Sequence, residues 1–339
     1  MVKRKGYTLT WPIIGHRENI KYLSQCVSTQ NVVPAYLFHG PLHLGKTATA
    51  QTFIQMLLCT NEERRPCGAC ENCQKLINRS HPDVAFLEKE VDKKNISIDD
   101  IREKIIHRLQ LSSFFNSYKV ALINGAEYLS TDAANSLLKT LEEPTKNTLI
   151  ILIANRLENL PRTVISRCQL IEFRPVSTDD VLTFIQKEQP TIDRTSALAI
   201  ARLSAGRPGL AWQYLHIPEL LEERKAQVND FLSYLQADLP SKFSYIGELT
   251  AGPSYQESVD SVSVTIGIWQ NVLRDIILLH YQLMPFTVNY FTRDSLEQAK
   301  KKYTPKVLGD FVKQLQLIQK SLRFNINPRL ALENFFLQL

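Results

Sequence analysis

Eight consecutive residues, Gly40-Pro41-Leu42-His43-Leu44-Gly45-Lys46-Thr47, constrain this chain more than any other stretch. They satisfy the phosphate-loop pattern G-x-x-x-x-G-K-[S/T]. Its glycines let backbone N–H groups turn inward around phosphate oxygens, its lysine supplies a cation for the outer phosphates, and its hydroxyl can reach Mg²⁺. Gly40, Gly45, Lys46 and Thr47 are therefore the candidate cofactor-binding residues, for ATP or ADP with Mg²⁺. Such a loop belongs between a strand and a helix, and the flanks agree. Ala35-Tyr36-Leu37-Phe38 reads as a short strand, and a helix is expected from Lys46 to Leu58 with Phe53, Met56 and Leu57 on its apolar side. A retained loop that holds no nucleotide stays open as the alternative.

The chain has 339 residues, enough for two or three domains. Up to residue 175 short apolar runs alternate with helical patterns, which predicts a layered α/β domain over 1–175. Val84-Ala85-Phe86-Leu87 is a second strand. Val120 to Ile123 and Leu149 to Ile153 are wholly apolar, as in strands buried on both faces. Ser97-Ile98-Asp99-Asp100 starts a helix, and another spans Asp132 to Glu142, stopped by Pro144. Beyond Arg174-Pro175 the strand-like runs vanish. Ser177 to Asp180 reads as the cap of a small helical domain over 176–238, and a helical bundle is expected over 239–339. Pro240, Gly247, Gly252 and Pro253 mark residues 240–255 as a linker.

A net charge of +6 is a mild basic bias, and Lys300-Lys301-Lys302 reads as a solvated helix end. No run approaches a membrane span, and basic Met1–Tyr7 lacks the apolar core of a signal peptide, so a cytoplasmic protein without a membrane partner is expected.

Four of the six cysteines, Cys59, Cys67, Cys70 and Cys73, fall within fifteen positions. Two-residue gaps let successive thiolates close on one tetrahedral ion, and four sulfurs suit structural zinc with no open coordination position. Cys26 and Cys168 stand apart and read as buried or unreactive small residues.

A phosphate-loop ATPase also needs an acid at the end of a second strand for the Mg²⁺ shell and a carboxylate to polarise the attacking water. In Lys119-Val120-Ala121-Leu122-Ile123-Asn124-Gly125-Ala126-Glu127 the strand ends on Asn124 and Gly125, and neither can act as a base. Glu127, two positions on, reads as a solvated loop residue.

Taken together, these residues make the chain resemble the delta-prime family of bacterial DNA polymerase III clamp-loader subunits, within the AAA+ superfamily. The resemblance rests on Ile14-Gly15-His16, on Ala35 to Pro41 leading into the loop, and on the cysteine cluster after the loop helix, whose first gap is one residue short. It rests also on His81-Pro82-Asp83-Val84, Asn135 to Pro144, Ser166-Arg167-Cys168 and Asn327 to Glu333. It implies an AAA+ domain over 1–175 with a zinc module at 59–73, a helical lid over 176–238 and a helical collar over 239–339 that joins a hetero-oligomer.

Position by position, the resemblance makes Arg167 an arginine finger acting in trans on a neighbour's ATP; read alone, it is a surface arginine at a helix end. It makes Asn155 the first sensor of the γ-phosphate; read alone, it is a turn residue after a strand. The family's Mg²⁺-shell acid falls on Asn124, its catalytic glutamate on Gly125 and its second-sensor arginine on Gly209, with Arg207 pointing elsewhere. These losses imply a non-motor subunit that helps load the sliding clamp onto primed DNA. The implied partners are the gamma/tau and delta subunits, the clamp, and primer-template DNA through the assembly. Two other readings stay open. One is a gamma/tau-like ATPase motor using Glu127 or Asp132; the other is a zinc-dependent DNA-binding module on a vestigial ATPase fold.

Overall fold

The computed structural model describes residues 8–90, 93–114, 118–252, 255–324 and 326–338; Met1–Tyr7 and Pro253 lie outside them. The chain divides into two units, 1–180 with 207–209, and 181–206 with 210–339.

The first unit is a parallel sheet between helices. Its strands are β1 (Thr8–Leu9), β2 (Ala35–His39), β3 (Arg64–Arg65), β4 (Val84–Glu88), β5 (Lys119–Asn124), β6 (Thr148–Ala154) and β7 (Gln169–Glu172). The main sheet runs β4-β5-β6-β2-β7 with every neighbouring pair parallel; β1 and β3 pair separately. All seven residues of β6 are buried, because helices cover both faces. On one face Tyr36, Phe38, Val120, Leu122 and Ile151 pack with Phe53, Ile54 and Met56 of the helix Lys46–Leu58. On the other, Leu37, Ala121, Ile123 and Leu152 pack with Ile101 and Ile105, and with Leu137 and Leu141 of the helix Thr131–Glu142.

Helix starts follow local chemistry. Ser97 Oγ accepts from Asp100 N at 3.2 Å while Asp100 Oδ2 accepts from Ser97 N at 3.3 Å, a reciprocal capping box. Ser130 Oγ accepts from Ala133 N, and Ser177 Oγ accepts from Asp180 N. The placement of β2 between β6 and β7 fixes where the phosphate loop emerges. Register pairs His39 with Ala154 and Asn124 with Ile153, so the loop after β2 and the residues after β5 and β6 leave the sheet at the same edge.

The second unit is helical. Its core surrounds Trp269, which stacks on Phe231 at 4.7 Å and meets the edge of Phe336 at 5.4 Å. The helix Tyr255–His280 is long and apolar enough to cross a membrane, although no unbroken apolar run marks it in the sequence. More than half of its apolar window is buried inside the unit, with Val262, Ile266, Trp269 and Ile276 in the core. The expected linker is corrected: Leu239–Leu249 is a helix capped by Asp238, with Ile246 buried. Pro240 sits in its first turn, where no N–H is needed, so the proline marks a helix start. Lys300 to Lys302 end the helix Arg293–Lys302, as expected.

Asp275, fully buried on the long helix, anchors the chain that comes after it. Its carboxylate accepts from Val288 N at 3.0 Å, Asn289 N at 2.7 Å and Asn289 Nδ2 at 2.9 Å. Burial raises its pKa against these donors. Asp275→Ala leaves them without an acceptor, and the expected loss is about 2–3 kcal/mol. Urea unfolding of the variant measures it, and a change within about 0.5 kcal/mol of zero, the usual range for surface substitutions, would show that the loop holds without this anchor.

Candidate functional site

The phosphate loop keeps its shape because two positions tolerate only glycine. Gly40 has φ +136°, and a Cβ there would stand 2.1 Å from Phe173 O. Gly45 lies in open space, but at φ +83° it takes the left-handed conformation that begins the helix. Lys46 is buried, and its Nζ donates to Gly40 O and Pro41 O, each at 2.6 Å. Burial holds its ammonium down to about 8, against the opposing pull of the Glu127 carboxylate. Gly40 and Gly45 thus bound the turn after β2, and Lys46 and Thr47 open the helix Lys46–Leu58 that follows it.

Histidines crowd this turn. His16 bonds Leu44 O through Nε2 at 3.0 Å and packs on Phe173 at 4.7 Å between ring centroids. Burial pushes the pKa values of His16, His39 and His43 down, and for His43 the charges of Arg207 and Lys46 add to the effect. Arg207 therefore lies within electrostatic reach of His43. Gly209, where a second-sensor arginine was expected, donates its N–H to His43 O at 2.9 Å. A Cβ at 209 would meet that oxygen at 3.0 Å, so a side chain there would crowd the docked backbone.

The reading of Glu127 as solvated is corrected. Glu127 is half-buried, and its Oε1 accepts both from Asn155 N at 3.0 Å and from Asn155 Nδ2 at 2.8 Å. Asn155 follows Ala154, whose carbonyl accepts the Gly40 N–H, so this pair stands beside the start of the phosphate loop. Sequence spacing hid the contact because the two residues are 28 positions apart. The available signal was Gly125, a residue suited to a tight reversal just before a carboxylate.

Arg167 lies at the end of the helix Arg162–Ile165 and is bound within its own chain. Its Nε donates to Glu142 Oε1 at 2.7 Å, a second guanidinium nitrogen reaches the same oxygen, and Nη1 donates to Thr163 O at 2.8 Å. Glu142 is the second residue that sequence reasoning passed over; it sits in the quoted run Asn135 to Pro144.

The four cysteines converge as their spacing predicts. Cys59 ends the loop helix, Cys70 precedes the helix Glu71–Ile77, and the sulfurs all lie within 4.8 Å of one another. Cys67 and Cys73 sulfurs are 4.0 Å apart and those of Cys59 and Cys70 3.9 Å. Tetrahedral ligation with metal–sulfur bonds of about 2.3 Å requires separations of roughly 3.8 Å, so the donor set fits a closed four-thiolate metal centre. Burial pushes Cys70 up, but hydrogen bonds from Thr60 and Cys73 outweigh it and bring the thiol down to about 6. Cys26 is buried, its sulfur accepting from the Tyr36 hydroxyl at 3.6 Å, whereas Cys168 is half-buried, with burial pushing its thiol up to about 12 and so disfavouring the reactive thiolate.

Residues 15–177 match a family model described as DNA polymerase III, delta subunit, and residues 218–339 match one described as DNA polymerase III, delta subunit, C terminal. The chain is 34% identical over 199 residues to DNA polymerase III subunit delta' of Pseudomonas aeruginosa, covering 57% of this chain and 58% of that one. It is 31% identical over 199 residues to subunit tau of Bacillus subtilis, covering 57% and 35%. A solved gamma-subunit-related protein of Thermotoga maritima aligns at 17% identity and a TM-score of 0.43, covering 94% of this chain and 97% of that one. The matched segment spans less than two thirds of the length of these curated relatives.

Lys46 should carry its charge at neutral pH and lose it as pH rises through about 8. Lysine-labelled NMR, with the resonance assigned by its loss in Lys46→Arg, reads this directly. A midpoint near about 10.4, that of a solvated lysine, would mean that the side chain is not buried as described.

Proposed function

The chain belongs to the DNA polymerase III delta-subunit family, and from that premise we propose that it is a non-motor subunit of the clamp loader. In this reading it acts in the cytoplasm beside gamma/tau and delta subunits and helps place the sliding clamp on primed DNA. The observation that carries the reading is an intact phosphate loop in a sheet whose strand β5 ends on Asn124, followed by Gly125. The loop residues Gly40, Gly45, Lys46 and Thr47 would hold ATP or ADP with Mg²⁺, and Asn155 would sense the outer phosphate. Neither Asn124 nor Gly125 can take a proton from water.

The contribution to turnover comes instead from Arg167. A guanidinium delivered across an interface stabilises charge developing on a neighbour's γ-phosphate. To reach it, Arg167 must exchange Glu142 for phosphate. That exchange is feasible because half-exposed ion pairs contribute little, about 0–1 kcal/mol. Zinc at Cys59, Cys67, Cys70 and Cys73 would be structural, since four sulfurs leave no open position. Residues 176–238 would form the lid and 239–339 the collar. A second reading, an ATPase motor in its own right, is favoured by the carboxylate of Glu127 beside Asn155. Turnover by the isolated chain, abolished by Lys46→Ala, would support it.

In a loader reconstituted with clamp and primed DNA, Arg167→Ala in this chain should lower steady-state ATPase by about tenfold or more, while the isolated chain stays inactive. An unchanged rate would make Arg167 an ordinary surface residue. Metal analysis after gentle purification should find one zinc per chain, at the four cysteines. Cys70→Ser should lower thermal stability without altering chemistry. A variant of unchanged stability that no longer responds to ATP would assign the cysteines a different role.

A further inference from the structure

The two oxygens of Glu127 are in different situations. Oε1 is saturated by the backbone and side-chain N–H donors of Asn155. Oε2 is buried and has no hydrogen-bond partner among the described residues. A carboxylate oxygen withdrawn from water without a partner costs free energy, and the natural complement of such an atom is a cation. Lys46 lies close enough for the Glu127 charge to oppose the fall of its pKa, yet its hydrogen bonds go to Gly40 O and Pro41 O.

Backbone geometry explains how the carboxylate comes to the end of β6, next to Ala154, whose carbonyl accepts the Gly40 N–H. Gly125 has φ +80°, and its N–H donates to Ile153 O at 3.0 Å. The next turn, Ala126–Tyr128, swings Glu127 back to the end of β6. A Cβ at 125 would also press on the Tyr128 ring at 3.0 Å. The glycine that removes an acid from position 125 is thus the residue that delivers one from position 127.

We propose that Glu127 is the carboxylate through which this loop grips the divalent cation of a bound nucleotide, in place of the acids absent at Asn124 and Gly125. The proposal rests on the reading of residues 40–47 as a nucleotide loop. A hard cation such as Mg²⁺ takes one or two protein oxygens, keeps water, and shares phosphate oxygens with the nucleotide. Thr47 and Glu127 supply the protein oxygens. With Oε1 committed to Asn155 and Oε2 to the cation, neither oxygen is left to take a proton from water, so this role accords with a loop that binds nucleotide without turning it over.

The test is anisotropy titration of the full chain with fluorescent mant-ADP and mant-ATP, in Mg²⁺ and in EDTA. For the wild type, Mg²⁺ should tighten binding by about tenfold or more. Glu127→Gln keeps an acceptor for Asn155 but removes the charge. It should abolish the Mg²⁺ enhancement while leaving affinity in EDTA unchanged or higher. A Glu127→Gln chain with the wild-type Mg²⁺ response overturns the proposal and leaves the loop reading intact. A wild type that binds neither nucleotide under either condition overturns both. Should Glu127→Gln not fold, Glu127→Asp serves. Shortening the side chain should weaken the Mg²⁺ response, and an undiminished response again overturns the proposal.

Discussion

The parallel pairing of β2 with β6 is the interaction that organises the first unit. It sets Ala35 to His39 against Ile150 to Ala154, residue by residue, and ends with the Gly40 N–H on the Ala154 carbonyl. That last bond decides where the phosphate loop begins, and the next residue, Asn155, stands beside it. The packing is intolerant of change at this point. The Phe173 carbonyl lies so close to Gly40 that no side chain fits, and the same Phe173 supports His16, which bonds the loop at Leu44. Strand register, glycine at 40 and the position of the loop are one constraint.

A common pattern joins the polar groups at the ends of the strands and at Arg167. Lys46 is bonded to two loop carbonyls, Asn155 to Glu127, and Arg167 to Glu142 and Thr163. Buried or half-buried donors require acceptors, so each group suited to phosphate already has an oxygen of the protein. Any anion that engages them must replace those bonds, and net affinity is the difference between two bonded states. The Lys46 pair of carbonyls and the exposed Glu142 are neutral or hydrated competitors. Glu127 differs from both because one of its oxygens is buried with no hydrogen-bond partner among the described residues.

The cysteine centre and the Trp269 core stabilise their surroundings by different means. Four sulfurs at tetrahedral separations would, on binding one metal ion, tie the end of the loop helix to the helix Glu71–Ile77 over a short span. The helical unit instead buries Trp269, Phe231, Phe335 and Phe336 in one aromatic cluster and secures Val288 and Asn289 through Asp275. That cluster accounts for the apolar length of Tyr255–His280, which composition alone would equally assign to a membrane.

The elements legible in the amino-acid order are those whose signal is local. The phosphate loop, the apolar strands, the Ser97 cap and the cysteine cluster each depend on residues a few positions apart, where backbone sterics and ligand spacing act directly. Local signals also misled in two places. Pro240 with Gly247 suggested a linker, although proline in a first helical turn and a lone glycine leave a helix intact. Glu127 looked solvated because no neighbour in sequence could bury it. Folding in three dimensions alone set the contacts between distant segments: Glu127 on Asn155, Glu142 on Arg167 and Gly209 against His43. These contacts join residues far apart in the chain, and strand register and helix docking, which no local pattern encodes, determine which side chains meet.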